Sequence, residues 1–249
     1  MSVCLQFDLG NSSAKWRLLK GNDIVDRGLY QHGDSVSREA LLARLDAPEQ
    51  IWISSVAGPD VEADLVAWLQ QQWQVQPWFA RTPQRSLDLV NSYAQPERMG
   101  VDRWLAMLAA RHRCVDRLCL VDAGSALTID LVAANGRHEG GYIIPGPALM
   151  ERALLLDTDR VRFDENVDYS LRPGASTAEA VRHGIALAQA GAVSLALQQA
   201  ADPAPVLFIC GGAGEALMHL LAADGQYLPD LVFEGLELMA GESGLPRLG

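Results

Sequence analysis

One pattern occurs twice in this chain and restricts the possible folds more than any other feature. FDLGNSSAK contains Asp8 and Gly10, and VDAGSALTID contains Asp122 and Gly124. The two aspartates are 114 residues apart in a chain of 249, so the pattern recurs after nearly half the length. A single Asp-x-Gly is a common turn sequence. A second copy, again at the end of an apolar segment, indicates a duplicated unit with a glycine turn after its first strand.

The predicted secondary structure repeats in the same way. Apolar and alternating segments separated by turn residues predict three strands, a helix, a strand and a helix in each half. In the first half, helices are predicted over about 37–45, 60–73 and 101–113, and residues 81–99 are predicted as a loop. In the second half, helices are predicted after Pro147, over about 177–200 and 213–223, and after a short strand near Leu231. The sequence therefore predicts an α/β protein with domains 1–115 and 116–249.

Composition and charge narrow the class of protein. Hydrophobic residues make up 49% of the chain, and the net charge is −11. This acidic balance argues against a general binder of nucleic acid or of anionic membranes, although a local pocket can still attract a small anion. The N-terminus lacks the features of a signal peptide, and the apolar stretch 185–197 is interrupted and too short to span a bilayer. The four cysteines form no C-x-x-C pair, so we expect buried free thiols in a cytoplasmic protein.

The first copy of the repeat carries groups suited to a phosphate chain. Glycine lets backbone N–H groups approach closely, and Lys15 can supply a positive charge. Asp8 and Asp122 would repel phosphate unless they hold a cation or its water shell. Three polar side chains can add hydrogen-bond donors: Asn11, Ser12 and Ser13. The alternative is a hairpin capped by Asn and Ser with the lysine in solvent, which the second copy of the pattern disfavours.

Another polar segment, NSYAQPERMGVDRW, places an acid and an arginine at the start of a predicted helix. Arg103 can grip a carboxylate with two hydrogen bonds, and Asp102 can accept a proton from a substrate hydroxyl. Tyr93 offers an aromatic wall with a hydroxyl, whereas Trp104 is predicted in the core. From these residues alone, a solvated ion pair or a helix cap is an equally good interpretation. The five histidines are scattered, and none is assigned a role.

A third segment, CGGAGEAL, lies between a predicted strand and a predicted helix. Its two adjacent glycines would leave a flat backbone surface against which an adenine or a ribose could lie. Tight packing of the strand on the helix explains the same glycines equally well.

These motifs, in this order, resemble the type III pantothenate kinases over nearly the whole chain. DLGNSSAK is similar to the first phosphate motif of the family, and NSYAQPERMGVDR to its pantothenate motif. DAGSALTID resembles the second phosphate motif, with Ser125 where threonine is usual. GGYIIPG and STAEAVRHG are further signatures. The adenosine motif departs most, with Cys210 in place of the usual threonine and Ala213 at an often polar position.

The resemblance implies a fold and an activity. The family belongs to the acetate and sugar kinase/Hsp70/actin superfamily, whose two duplicated ribonuclease H-like lobes have mixed five-stranded sheets with flanking helices around a central nucleotide cleft. The implied reaction is ATP-dependent phosphorylation of pantothenate to 4'-phosphopantothenate, the first step of coenzyme A synthesis. The implied cofactors are Mg²⁺ and a monovalent cation, K⁺ or NH₄⁺. The family works as homodimers, with no nucleic-acid or membrane partner expected.

The resemblance also assigns roles to individual residues. Ser125 would contact the ATP phosphates from the second lobe, Asp122 would ligate the monovalent cation, and Asp102 would be the proton acceptor. The ATP phosphates would be lined by the residues of the first motif: Asp8, Leu9, Gly10, Asn11, Ser12, Ser13, Ala14 and Lys15. Pantothenate would be bound by Tyr93, Gly100, Val101, Asp102, Arg103 and Thr177.

Two other functions remain open at this point. One is a kinase of another small hydroxy acid on the same scaffold, since Asp102 and Arg103 favour a hydroxy acid over a neutral sugar. The other is a nucleotide-binding regulatory protein. The acidic balance and the presence of Asp102 speak against a regulator.

Overall fold

The computed structural model describes residues 2–11, 13–45 and 47–245, so the expectation for Ser12 lies outside the described residues. The chain forms two compact units. The first unit comprises residues 1–87, 93–109 and 231–249, and the second comprises 88–92 and 110–230. The C-terminal segment thus belongs to the same unit as the N-terminus. The division between residues 115 and 116 stays a prediction.

The first unit contains a mixed sheet of five strands in the order β3-β2-β1-β4-β5. Strand β1 pairs antiparallel with β2 and parallel with β4. The elements are β1 (Val3–Leu9), β2 (Ser13–Lys20), β3 (Asp23–Gln31), α1 (Ser35–Leu42), β4 (Gln50–Ser55), α2 (Pro59–Trp73) and β5 (Trp78–Phe79). They are followed by β6 (Arg85–Ser86), β7 (Leu89–Val90), a 3₁₀ turn (Pro96–Arg98) and α3 (Val101–Arg113), whose last residues lie in the second unit.

The second unit repeats this topology, with its strands in the order β10-β9-β8-β11-β12. Its elements are β8 (Leu118–Ala123), β9 (Ala126–Val132), β10 (His138–Pro145), α4 (Pro147–Asp157), α5 (Thr177–Gln199), β11 (Val206–Cys210), α6 (Gly214–Leu220) and β12 (Gln226–Tyr227). The closing helix α7 (Leu231–Glu242) returns to the first unit. The predicted α/β duplication is confirmed. The strand predicted near Leu231 is wrong in position, because that residue begins α7 and the strand ends at Tyr227.

Alternation along the first strand of each unit decides which side chains enter the core. In β1, Leu5, Phe7 and Leu9 belong to an apolar cluster, so Asp8 points to the other face of the sheet. In β8, the alternate residues Cys119, Val121 and Ala123 belong to the corresponding cluster of the second unit, which places Asp122 on the opposite face. The repeated aspartates therefore occupy equivalent positions in the two sheets.

Helix α5 has the length and composition of a membrane-spanning helix, with 23 residues and a mean hydropathy of 1.2 over an 18-residue window. It is longer than the apolar stretch seen in the sequence, so length alone does not exclude a membrane span. The core helix of a water-soluble protein meets the same criteria. Three residues of α5, Ala190, Val193 and Ala196, lie in the apolar cluster of the second unit.

A buried polar network joins α7 to the sheet of the first unit. Arg17 is 3% exposed; its Nε donates to Gln6 Oε1 and its Nη2 to Glu237 Oε1, each at 2.6 Å. The guanidinium carbon lies 4.6 Å from the ring centroid of Phe233. Burial raises the pKa of Glu237 even though the Arg17 charge lowers it. The C-terminal helix is thus held by a charged contact with the strands that carry the first glycine turn.

Removing the arginine of this network should destabilise the first unit. We expect Arg17→Met to lower the free energy of unfolding by about 1–3 kcal/mol, because Gln6 and Glu237 lose their common donor. The double variant Arg17→Met/Glu237→Leu should recover most of the loss, since no partly buried carboxylate is left without its cation. Urea unfolding of both variants measures the effect, and a double variant less stable than Arg17→Met would contradict it.

Candidate active site

The glycine turn between β1 and β2 is held by two hydrogen bonds. Gly10 N donates to Ser13 O at 3.0 Å, and Nε2 of His32 lies 2.8 Å from Gly10 O. Asn11 and Lys15 are exposed at this turn. A polar side chain and a cation therefore face solvent near the hydrogen-bonded backbone of Gly10. The phosphate prediction needs groups of these kinds.

Strand pairing sets the surroundings of Asp8. It is opposite Lys15 on β2 and Ser54 on β4, and Ser54 Oγ donates to Asp8 Oδ1 at 3.1 Å. Leu9 and Ala14 are fully buried, so only their backbone groups can contact a nucleotide. Among the predicted phosphate residues that the structure describes, those with polar side chains lie outside the apolar core.

Asp102 is the second residue of α3, and its carboxylate turns back over the preceding glycine. Oδ1 accepts a hydrogen bond from Arg103 N at 2.7 Å. A β-carbon on Gly100 would lie 2.6 Å from the same oxygen, so only glycine leaves room for the carboxylate there. A position in the first turn of a helix also favours a negative charge. Asp102 is half-buried, whereas its neighbour Val101 is buried.

The guanidinium of Arg103 is fixed by an aromatic partner. Arg103 is 5% exposed, and its Nη1 donates to the hydroxyl of Tyr93 at 3.1 Å. The guanidinium carbon lies 5.9 Å from the ring centroid of Tyr93, within range of a cation–π interaction. The predicted pair of a carboxylate and an arginine is thus neither a fully solvated ion pair nor a simple cap, because the arginine is buried against a tyrosine.

Val56, which follows β4, connects the glycine turn with the start of α3. Its backbone N–H donates to Leu9 O at 3.0 Å, at the end of β1. A β-carbon on Gly100 would lie 3.6 Å from its side chain. The glycine turn after β1 and the segment carrying Asp102 and Arg103 therefore lie at the same end of the sheet in the first unit.

In the second unit, the glycine of the turn between β8 and β9 also donates to the strand that follows, but to the second residue after it rather than the third. Gly124 N donates to Ala126 O at 3.0 Å, and Ser125 is exposed. Gly146 N donates to Ser125 O at 3.0 Å, which ties the end of the GGYIIPG segment to this turn. The backbone of Ser125 is therefore fixed while its side chain faces solvent.

Asp122 lies beside the turn that follows β11. It is the register partner of Cys210, and a β-carbon on Gly211 would clash with both Asp122 Oδ1 and Ala123 O. Gly211 has a φ of +84°, which glycine adopts without strain. Two oxygen atoms therefore converge beside this glycine.

The predicted adenosine segment is tied to β12 by a tyrosine. The hydroxyl of Tyr227 donates to Gly211 O at 3.1 Å. Burial raises the pKa of this tyrosine, and nearby acidic groups, Asp122 among them, raise it further. The phenol thus remains a donor at neutral pH. Cys210 is buried and Ala213 half-buried, so the two residues that depart from the family pattern lie at the edge of this turn.

Thr177 begins α5 in the second unit, whereas Tyr93, Asp102 and Arg103 belong to the first. It is exposed, and the preceding Ser176 caps the helix by accepting a hydrogen bond from Glu179 N at 3.2 Å. It also lines a cavity of about 710 Å³ whose walls are mostly apolar. The cavity lies among α4, α5 and the end of β10, and is lined by Pro145, Leu149, Met150, Ala153, Leu154, Val161, Thr177, Ala180, Val181, Gly184, Ile185 and Ala188.

Comparison with known proteins decides the family. The profile of the type III pantothenate kinases matches residues 4–199. A type III pantothenate kinase from Chromohalobacter salexigens is 36% identical over 254 residues, which cover 99% of this chain and 90% of that protein. The chain belongs to the type III pantothenate kinases. It is therefore an enzyme of the kinase class, and its family's reaction is the ATP-dependent phosphorylation of pantothenate.

Solved structures agree with this kinase in fold. A protein from Campylobacter jejuni, described as a Baf family transcriptional activator, aligns with a TM-score of 0.61 at 22% identity, covering 96% of this chain and 98% of that one. A protein from Sinorhizobium meliloti, described as a 2-dehydro-3-deoxygalactonokinase, aligns with a TM-score of 0.58 at 14% identity, covering 95% and 97%. At these identities the likeness concerns the fold alone, and it supports the predicted pair of ribonuclease H-like lobes.

Sequence reasoning missed two histidines of this kinase that contact the predicted motifs. His32 reaches the carbonyl of Gly10, and His138 is fully buried, with its ring hydrogen-bonded to Ser92 and Asp130. Their spacing in the sequence is irregular because the contacts form between strands or between a strand and a loop. The adjacent glycines that follow His138 were the only local signal.

Metal ligands in the kinase are sparse. Among residues 2–11, 13–45 and 47–245, no group of three or more His, Cys, Asp and Glu side chains is arranged to hold a metal ion. A cation near Asp8 or Asp122 would thus need further oxygen ligands from substrate phosphates and water.

Proposed function

We propose that the protein transfers the γ-phosphoryl group of ATP to the primary alcohol of pantothenate, with Asp102 as proton acceptor. The observation that supports this proposal is the position of Val56. Its N–H donates to Leu9 O at 3.0 Å, and its side chain would lie 3.6 Å from a β-carbon on Gly100, so the glycine turn after β1 and the start of α3 are neighbours. Phosphoryl transfer requires the phosphate donor and the acceptor alcohol to bind next to each other, as they would if these two segments bind them. Family membership supplies the identity of the two substrates.

The residues of the substrate segment have distinct tasks in this proposal. Arg103 binds the carboxylate of pantothenate, and Tyr93 holds its guanidinium in place. Asp102 accepts the proton of the alcohol as the alcohol attacks phosphorus. Its position over Gly100 fixes the carboxylate before substrate arrives. Phosphoryl transfer depends mainly on positioning and charge stabilisation, so a fixed base and a fixed arginine are what this chain needs to supply.

Phosphate binding is assigned to the two glycine turns. Asn11 in the first turn, Lys15 on β2 and Ser125 in the second turn are exposed, so their polar groups are accessible to an anion. Mg²⁺ bound with ATP would neutralise phosphate oxygens, and we assign Asp8 the role of interacting with it or its water shell. A monovalent cation suits the second turn, because Asp122 Oδ1 and Ala123 O converge beside Gly211 and both are oxygen ligands.

The cation assignment predicts a specific salt dependence. We expect activity to collapse when KCl is replaced by NaCl or a bulky organic cation at constant ionic strength, and NH₄Cl to restore it, because NH₄⁺ is close to K⁺ in size. Asp122→Ala should be poorly active and should lose most of its response to K⁺. Initial rates at saturating Mg-ATP measure this. Equal rates in all the salts, or full K⁺ activation of Asp122→Ala, would contradict the assignment.

We also propose a homodimer, formed through the apolar surface of α4 and α5. The 710 Å³ cavity between these helices is lined mainly by apolar side chains, and Leu149, Leu156 and Leu187 on the same helices are exposed. A second copy of this chain would cover that surface. Sedimentation analysis tests this, with Leu187→Glu expected to weaken the dimer. The acidic net charge of −11 argues against a nucleic-acid or anionic-membrane partner, and the free cysteines 4, 114, 119 and 210 support a cytoplasmic enzyme.

One assay separates this function from the alternatives. Purified protein is incubated with labelled ATP and either pantothenate, other small hydroxy acids or a panel of sugars. Phosphorylation of pantothenate well above the other acceptors is the expected result. Preference for another hydroxy acid would identify a different kinase on this scaffold, and nucleotide binding without any transfer would favour a regulatory protein.

A further inference from the structure

A serine, a histidine and an aspartate form a hydrogen-bonded chain that the proposed chemistry does not use. Ser92 Oγ lies 2.8 Å from His138 Nδ1, and His138 Nε2 lies 3.0 Å from Asp130 Oδ1. His138 and Asp130 are 0% and 1% exposed, whereas Ser92 is exposed. Burial of an acid and an imidazole is costly unless each is hydrogen-bonded, so this pair needs a reason to be there.

The two glycines before Tyr142 build the place for this pair. On β10, Gly141 is opposite Asp130 of β9, and it leaves the space beside the carboxylate without a side chain. A register shift between His138 and Gly140 makes Glu139 an extra residue, and it brings His138 opposite Val132. Opposite residues share a sheet face, so the imidazole lies on the same face as the carboxylate.

The backbone at this bulge requires glycine. Gly140 has a φ of +130°, which side chains other than hydrogen rarely allow. Gly140 and Gly141 therefore help to orient a buried histidine. The other end of the same segment, at Gly146, is linked to the second glycine turn. An imidazole with its single proton on Nε2 would donate to Asp130 and accept from the Ser92 hydroxyl at Nδ1, so this tautomer satisfies both contacts.

Segment 88–92 is tied to the second unit by several contacts. Arg111 Nε donates to Asp88 Oδ2 at 2.8 Å, and Val90 N donates to Gly136 O at 2.9 Å. The contact of Ser92 with His138 is the last of these before the chain passes into the first unit at Tyr93. The residue after the anchored serine is thus the tyrosine that holds Arg103.

We propose that Asp130, His138 and Ser92 are positioning residues that fix the start of the pantothenate segment. The buried pair of His138 and Asp130 holds the Ser92 hydroxyl. Ser92 in turn fixes the backbone position of the next residue, Tyr93. Tyr93 then sets the orientation of the Arg103 guanidinium. This inference rests on the proposed function, because it assumes that Arg103 binds the substrate carboxylate. It adds three residues to the determinants of pantothenate affinity, none of which touches the reacting atoms.

Steady-state kinetics of Ser92→Ala tests this role. Loss of one hydrogen bond in the chain should raise the KM for pantothenate about three- to tenfold, with the KM for ATP changed by less than about twofold. Since the serine is exposed, the melting temperature should fall by no more than about 4 °C. Ser92→Thr, which keeps the hydroxyl, should restore the parent KM, and Asp130→Asn should show the same selectivity for pantothenate. The matched control is Ser35→Ala, an exposed serine at the start of α1.

Amide hydrogen exchange of the protein without substrates tests the same role independently of catalytic activity. Ser92→Ala should speed exchange in peptides covering 93–100 and leave the peptide of β1 and β2 unchanged. Unchanged exchange together with an unchanged pantothenate KM would overturn the positioning role while leaving the proposed function intact. An equal rise in both KM values would also overturn it, as a purely structural effect. A parent enzyme that does not phosphorylate pantothenate would overturn the proposed function and the role of these three residues in pantothenate affinity. The exchange experiment would then still show whether Ser92 anchors residues 93–100.

Discussion

Asp102→Asn should slow turnover by about 10²–10⁴-fold while pantothenate still binds, because an amide cannot accept the proton of the attacking alcohol. Asparagine has the shape of aspartate, and its amide oxygen can still accept from Arg103 N as Oδ1 does at 2.7 Å. The start of α3 and the packing over Gly100 should therefore persist. Steady-state rates together with calorimetric titration of pantothenate measure the two quantities separately.

The structure offers a matched control for this variant. Asp60 is the second residue of α2, as Asp102 is the second residue of α3, and it is exposed. Asp60→Asn removes the same charge from the same helical position, so it reports any general effect of the helix dipole. We expect it to leave the rate unchanged. An Asp102→Asn enzyme within a few-fold of the parent would remove this carboxylate from the mechanism.

Arg103→Ala should weaken pantothenate binding by about 2–5 kcal/mol and leave ATP affinity nearly unchanged, since a buried charged contact to the substrate carboxylate is lost. Arg103 is 5% exposed and held by the Tyr93 hydroxyl, so solvent screens the charge of its guanidinium only weakly. Arg103→Lys should recover only part of the affinity, because an ammonium cannot reproduce the bidentate fork of a guanidinium. Calorimetry with each ligand gives both affinities.

Pantetheine, which lacks the carboxylate of pantothenate, provides the decisive comparison. The parent should prefer pantothenate strongly, and Arg103→Ala should lose most of that preference. Equal discrimination by parent and variant would show that Arg103 does not bind the carboxylate. Arg98→Ala, an exposed arginine in the 3₁₀ turn just before α3, controls for a change of net charge near the segment. A melting curve of Arg103→Ala separates loss of binding from loss of fold.

Much of the fold follows from local patterns in the sequence. The repeated Asp-x-Gly at Asp8 and Asp122 predicts two units with the same first turn, and both sheets show the same strand order. Helix α3 spans Val101–Arg113, as its strong helix-forming residues predict. The prediction that Trp104 is core is confirmed, since it is 0% exposed. The turn residues and the helical pattern depend on neighbours in the chain, which is why one sequence suffices to predict them.

Other features depend on residues far apart in the chain. The short strand near the C-terminus was predicted at Leu231, but this residue begins α7, because pairing with β11 rather than local propensity selects Gln226 and Tyr227 as a strand. Residues 231–242 pack in the unit of the N-terminus, where Glu237 meets Arg17. No local sequence pattern predicts that α7 packs in the first unit, since Arg17 and Glu237 are 220 residues apart in the chain.

The sequence by itself determined the kinds of groups at the candidate site, because phosphate, carboxylate and proton transfer each require particular side chains. Asp102, Arg103 and Lys15 are the candidates that these requirements select. Only the tertiary structure decided how those groups are held. The carboxylate over Gly100 and the buried pair of His138 and Asp130 arise from a close backbone approach and from strand register. Such contacts are set by packing between strands and helices, and residue type and spacing along the chain do not encode them locally.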